Sequence, residues 1–233
     1  MTTLHSSSRQ LLLCLVPDWD DRRGRLQRFE RLPAGGWVAA GVMVPVTLGR
    51  AGLAWGRGRG LHPAMLGRQK REGDVRTPAV VFAITALFGI ASLGSPFARA
   101  AKLPYLCATR DLKCIDDPGS AHYNRVVDQS AVAQPDWTSC EDMLRCDQRY
   151  AVGAVIAHNC ERPVPGSGSC IFLHVWEAPG VPTAGCTAMA LADMSEIAGW
   201  LDGAASPVLV QLPQAEYESL REAWGLPVFA AQD

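Results

Sequence analysis

Apolar residues in this chain fall into short runs separated by turn formers, and few runs have helical spacing. Gln10–Val16 is a nearly unbroken apolar run stopped by Pro17-Asp18-Trp19-Asp20-Asp21, which predicts a strand buried on both faces. Gly24–Arg31 and Trp37–Leu48 flank Pro33-Ala34-Gly35-Gly36 and predict a hairpin. Thr77–Ala98 runs 22 residues without a charge, long enough to raise a membrane span. It also holds two prolines and two glycines, so we expect no stable span but a strand over Val80–Ile84, ended by a Phe88-Gly89 turn. Ala54–Gly60 reads as a Gly-rich loop and Leu66–Thr77 as a charged one.

Beyond Ile84 an irregular region is expected to about Ser120, then a short strand over Tyr123–Asp128. Thr138 or Ser139 as N-cap, with Glu141 and Asp142 behind, predicts a helix starting near Trp137. Tyr150–Ala157 and Ser169–Trp176 predict strands, separated by the Pro/Gly loop Arg162–Gly168. A helix over Ala190–Leu201, a strand over Pro207–Leu212 and a helix over Gln214–Trp224 complete the pattern. Strands dominate and no linker interrupts the 233 residues, so we expect one mainly β domain over 1–233 with a few short helices.

Net charge is −1, which argues against a nucleic-acid partner. The balance hides an asymmetry: residues 1–76 carry +7 and the remainder −8. We read this as mutual attraction within one fold. Eight cysteines, seven of them after residue 100, suit an oxidising compartment. No ordinary export signal is visible, because the apolar run Leu11–Val16 spans only six residues.

The chemistry concentrates between Gly166 and Met189. His174 closes an apolar strand, and Cys186 follows Gly185 after a loop carrying Pro179 and Pro182. The residues after Cys186 look helical, which would place the thiol at a helix start and lower its pKa. A histidine on a neighbouring strand can take the thiol proton, and nearby amides can hold an oxyanion. Two other readings stand beside this pair. Cys186 and His174 can be ordinary core residues, or His158, Cys160, Cys170 and His174 can form a zinc site, although no CxxC knuckle is present.

Several segments in order resemble the L,D-transpeptidase (YkuD-type) catalytic domain. They are Gly52-Leu53-Ala54-Trp55-Gly56, Lys70-Arg71-Glu72-Gly73-Asp74 with Thr77-Pro78, Cys114-Ile115-Asp116-Asp117-Pro118, Tyr123-Asn124, Tyr150-Ala151-Val152-Gly153, His158-Asn159, and Ile171-Phe172-Leu173-His174 with Thr183-Ala184-Gly185-Cys186. The resemblance covers about residues 10–212. It implies a β-sandwich, Cys186 as nucleophile, His174 as base, and Thr183 and Gly185 at the special positions before the nucleophile. It also implies peptidoglycan stem peptides as substrate, no metal or cofactor, and a periplasmic or cell-envelope location. Water as acceptor would make an L,D-carboxypeptidase instead; a catalytically silent wall-binding domain is the alternative from another class. Oligomeric state is left open.

The sequence also departs from the family pattern. Ala184 stands where many members have His, Ala188 where they have Asn or Arg, and Val80 where they have Gly. His158 or Asn159 is a candidate replacement contact to substrate. Strand alternation puts Trp176 on the His174 face, as a candidate wall of the donor groove. A Cys114–Cys170 disulfide is one expectation for the remaining cysteines, and two buried thiols the other.

Overall fold

The computed structural model describes residues 4, 7–59 and 67–229. Gly60 and Leu66, which bound two of the expected loops, lie outside them. Strands β1 (Gln10–Val16), β2 (Arg23–Arg31) and β3 (Trp37–Thr47) form an antiparallel meander. Every residue of β1 is buried, as its unbroken apolar run requires, and it lies between β2 and a parallel partner, β13 (Val208–Pro213). The hairpin turn places Gly35 and Gly36 at φ +89° and +79°, a region that favours glycine.

Strand β4 (Leu53–Trp55) pairs with β5 (Thr77–Gly89), which also pairs with β13. The expected end of this strand needs correction. It runs on through Phe88 and Gly89, which pair with β10 (Val152–Ile156) and with β6 (Tyr105–Cys107). Gly89 serves close approach rather than a turn, since a Cβ there would lie 2.5 Å from the Ala151 carbonyl oxygen. No helix of the described residues is long and apolar enough to cross a membrane.

β10 pairs with β11 (Phe172–Val175), β11 with β12 (Thr187–Met189), and β12 with β3. The order β10-β11-β12-β3-β2-β1-β13-β5, joined by the β5–β10 pairing, closes on itself. The mainly β expectation holds, but the strands of the main sheet form a closed barrel-like ring rather than the two facing sheets of a sandwich. The ring has one thin seam, where β12 meets β3 through the single pair Ala188–Thr47.

Helices α2 (Leu191–Trp200) and α3 (Gln214–Trp224) stand close to their expected bounds. Each buries one stripe: Met194, Ile197 and Ala198 in α2, and Tyr217, Leu220 and Trp224 in α3. Gly225, at φ +64°, caps α3 by donating to the carbonyls of Arg221 and Glu222. Across the charge asymmetry, buried Arg28 pairs with Glu196 of α2.

Between β5 and β10 the chain makes a long excursion, and it is more ordered than expected. It carries α1 (Pro96–Ala100), β6, and a small sheet of β7 (Leu112–Cys114), β8 (Val126–Asp128) and β9 (Glu141–Asp142). The helix expected near Trp137 is absent. Thr138 and Ser139 donate to Asp117 and Asp116 instead of capping a helix, and Glu141 and Asp142 pair with Cys114 and Lys113. A disulfide joins Cys114 to Cys170, anchoring the excursion beside β11.

Closing 56 residues, this bond is expected to stabilise the fold by about 4 kcal/mol on chain-entropy grounds. Peptide mapping of oxidised, unreduced protein is expected to recover the Cys114–Cys170 pair, and Cys114→Ser/Cys170→Ser to unfold at clearly lower denaturant. Free thiols at both positions in oxidised protein would contradict it.

Candidate active site

Strand alternation in β11 divides its side chains between two packed regions. Leu173 and Val175 enter the main core, whereas Phe172 joins a second cluster with Phe88, Tyr150, Cys170 and Cys186. His174 shares the side of Phe172. It is 6% exposed, and its ring meets Tyr150 edge-on at 5.3 Å between centroids. Cys186, 9% exposed, immediately precedes β12, the parallel neighbour of β11. Both side chains line one groove of about 310 Å³ between the barrel wall and the excursion.

The turn before Cys186 is tightly held. Thr183 Oγ1 donates to the Cys186 carbonyl at 2.6 Å and accepts from the Gly185 N–H at 3.1 Å. Thr77 Oγ1 donates to the same carbonyl at 3.3 Å and accepts from the Gly49 N–H. Backbone bonds from Thr183 N–H to Leu48 and from Arg50 N–H to Thr183 tie the turn to the chain beyond β3. Gly185 has φ +152°, and a Cβ there would lie 3.1 Å from the Arg76 carbonyl oxygen. Backbone conformation favours glycine at this position, and a Cβ would crowd the Arg76 carbonyl.

The sulfur of Cys186 accepts the Phe172 N–H at 3.3 Å, and its own S–H points to the Cys170 carbonyl at 3.5 Å. The expected helix start is not there: a strand follows Cys186, so no helix dipole activates it. Burial dominates instead and pushes the thiol up to about 12, helped by the negative charge of Glu141 and opposed by the Phe172 amide. Burial also holds His174 down at about 4. Its Nδ1 lies 2.8 Å from the Val175 carbonyl, which can only accept. The proton therefore sits on Nδ1, and Nε2 is left as the basic nitrogen. At neutral pH the resting pair is thiol and neutral imidazole, not an ion pair.

The other candidates divide. Thr183 and Gly185 shape the turn before Cys186, and half-buried Trp176 lines the groove with His174. His158 and Asn159 are not in this groove. The His158 ring is fully buried, accepting from the Arg57 N–H at Nδ1 and donating from Nε2 to the Ser167 carbonyl. Asn159 bonds the backbone of Val164 and Gly168. Both are braces of the 159–168 loop, and their reading as substrate contacts is corrected. The zinc grouping is not assembled either, since the Cys170 sulfur is in the disulfide and both His158 nitrogens are engaged.

Sequence reasoning missed the wall supplied by the excursion: Glu141, Arg145, Arg149 and Tyr150. The Tyr150 hydroxyl donates to Glu141. Arg145 bonds both oxygens of Asp147 and lies 5.2 Å from the Tyr150 ring centre. The available signal was the dense alternation of charge in 141–149, which a helical reading concealed. Comparison with protein-family models, curated proteins and solved structures finds no match.

The two buried imidazoles make the fold acid-sensitive. Each takes its proton near pH 6.5 when unfolded but only near 4 when folded, so the unfolded chain binds more protons in between. Stability is full above 6.5 and is lost as pH falls, by about 2 kcal/mol per ring between pH 7 and 5. Urea unfolding across that window is expected to show the loss. His158→Gln, which keeps a donor to Ser167, is expected to flatten it. An unchanged slope in His158→Gln would contradict this assignment.

Proposed function

We propose that the protein is a cysteine acyltransferase of the L,D-transpeptidase type, acting on peptidoglycan stem peptides in the cell envelope. The observation that carries this reading is the seating of Cys186 and His174 in one groove, His174 on β11 and Cys186 at the entry to its parallel neighbour β12, with the Nδ1 proton directed to a backbone carbonyl. Neighbouring strands lie about 4.8 Å apart with roughly 3.3 Å per residue, so a histidine two residues further along its strand can reach the thiol. A backbone feature adds support. Val80, where the family pattern has glycine, adopts φ +151°, and Gly185 of the nucleophile turn adopts φ +152°. The sequence departs from the family at residue 80, but the backbone still takes a glycine-favouring conformation. The barrel-like closure seen here would be a variation on the family's sandwich.

In this reading the donor peptide enters the groove against Trp176. As Cys186 Sγ attacks the carbonyl carbon of the third stem residue, its proton passes to His174 Nε2. The Cys186 N–H donates to the developing oxyanion, and Thr183 Oγ1 holds the turn that carries it by accepting the Gly185 N–H and donating to the Cys186 carbonyl. His174 then protonates the leaving D-Ala amine, and a thioester remains on Cys186. Starting from a neutral pair, deprotonation accompanies attack instead of preceding it. An acceptor amine yields a cross-link and water yields a shortened stem.

Cys186→Ala is expected to abolish release of D-Ala from a tetrapeptide donor. His174→Ala is expected to fold and to slow acylation by about 10²–10⁴-fold. Trp176→Ala is expected to raise the apparent KM while melting near the wild-type temperature. D-Ala release by Cys186→Ala would contradict the mechanism, and a large loss of Tm with normal KM would place Trp176 in the core.

A further inference from the structure

The groove offers an answer to what accepts the acyl group, an inference that rests on the acyltransferase reading. Most of its charged side chains already have partners. Lys70 pairs with Asp74 at 2.5 Å, and Arg149 with Asp147 and Glu177. Glu72 accepts from Tyr123 and Ser169, and Asp116 from Ser139. Glu141 is set apart by position: it is the carboxylate whose charge acts on the Cys186 thiol, and it pairs with Cys114 at the groove wall. Oε1 accepts the Tyr150 hydroxyl and stands 3.9 Å from Arg145, and Oε2 accepts no hydrogen bond among the described residues.

Glu141 is also tied to the nucleophile through a short structural chain. It pairs with Cys114 across β7 and β9; Cys114 is bonded to Cys170; and the Cys170 carbonyl receives the Cys186 S–H. Cys170 itself is held at φ +52° while its N–H donates to Asn124. The disulfide thus fixes the distance between a half-free carboxylate and the thiol.

We propose that Glu141 is the acceptor-amine site: its carboxylate binds a primary ammonium beside the thioester and takes one proton from it. The ammonium R–NH3+ becomes R–NH2 as Glu141 becomes the carboxylic acid. The amine nitrogen then bonds the thioester carbonyl carbon, and the C–S bond breaks. The second amine proton passes through His174 to the Cys186 sulfur, and Glu141 returns its proton to solvent. Burial in the groove already raises the basicity of this carboxylate, with the Tyr150 hydroxyl and Arg145 opposing and Asp116 assisting. The site favours amine over water, and so cross-linking over trimming.

The test follows decay of the acyl-enzyme by intact mass spectrometry, loading full-length protein with a tetrapeptide donor and titrating glycinamide as acceptor. Wild type is expected to show decay that rises with amine concentration. In Glu141→Gln the ratio of amine-dependent to water-dependent decay is expected to fall about a hundredfold. Glu141→Asp, which keeps the charge one methylene further back, is expected to lose about tenfold, and serves if the Gln variant does not fold. An unchanged ratio in either variant would overturn the acceptor site. So would an equal drop in acylation and aminolysis, which marks a structural role. Failure of wild type to acylate at all would instead overturn the acyltransferase reading, and the acceptor site with it.

Discussion

The carbonyl of Cys186 takes hydrogen bonds from two threonines, and the architecture of the site depends on it. Thr183 reaches it from within the nucleophile turn and Thr77 from the start of β5. The turn sits at the thinnest part of the barrel-like ring, where β12 and β3 share one residue pair. The threonines supplement the backbone bonds that tie Thr183 to Leu48 and Arg50 there. They fix the Cys186–Thr187 peptide, while the Phe172 N–H and the Cys170 carbonyl direct the sulfur, and the proposed acyl transfer needs both to be pre-organised. Thr187 extends the brace by donating to Gln211, which donates in turn to the Pro78 carbonyl.

Around this point the protein keeps its reactive groups uncharged. Burial raises the thiol and lowers the imidazole, and no helix start or close cation reverses that. A dry neutral pair resists adventitious oxidation, because the thiolate is the reactive form. The excursion does the reverse on the opposite wall, bringing Glu141, Arg145, Arg149 and Asp147 into a network around Tyr150. One wall therefore holds a neutral thiol–imidazole pair and the other a polarised surface, joined through the Cys114–Cys170 disulfide.

Much of the fold was legible because its signals were local. The apolar run of β1, the Pro-Gly hairpin and the stripes of α2 and α3 each depend on neighbours in sequence, and their bounds were read closely. The failures are all cases where distant partners decide. Gly89 looked like a turn but is a contact point for Ala151. Thr138 and Ser139 looked like caps but serve Asp117 and Asp116. His158 and Asn159 looked like ligands but are tied to loop backbone. Cys186, His174 and Gly185 were singled out from their residue types in a strand–loop context and by the family resemblance, Thr183 by the resemblance alone, and Trp176 by strand alternation. Glu141 and Tyr150 were not, because only pairing with β7 and ring contact with His174 bring them to the groove.

The central claim is that Cys186 forms a thioester-type bond with an acylating substrate. Intact mass spectrometry of the protein with a carbapenem, an inhibitor class the family resemblance implies, tests it most directly. The account predicts one covalent adduct, mapped by peptide digestion to Cys186 and lost in Cys186→Ala. No adduct on folded protein, or an adduct that persists in Cys186→Ala, would contradict it.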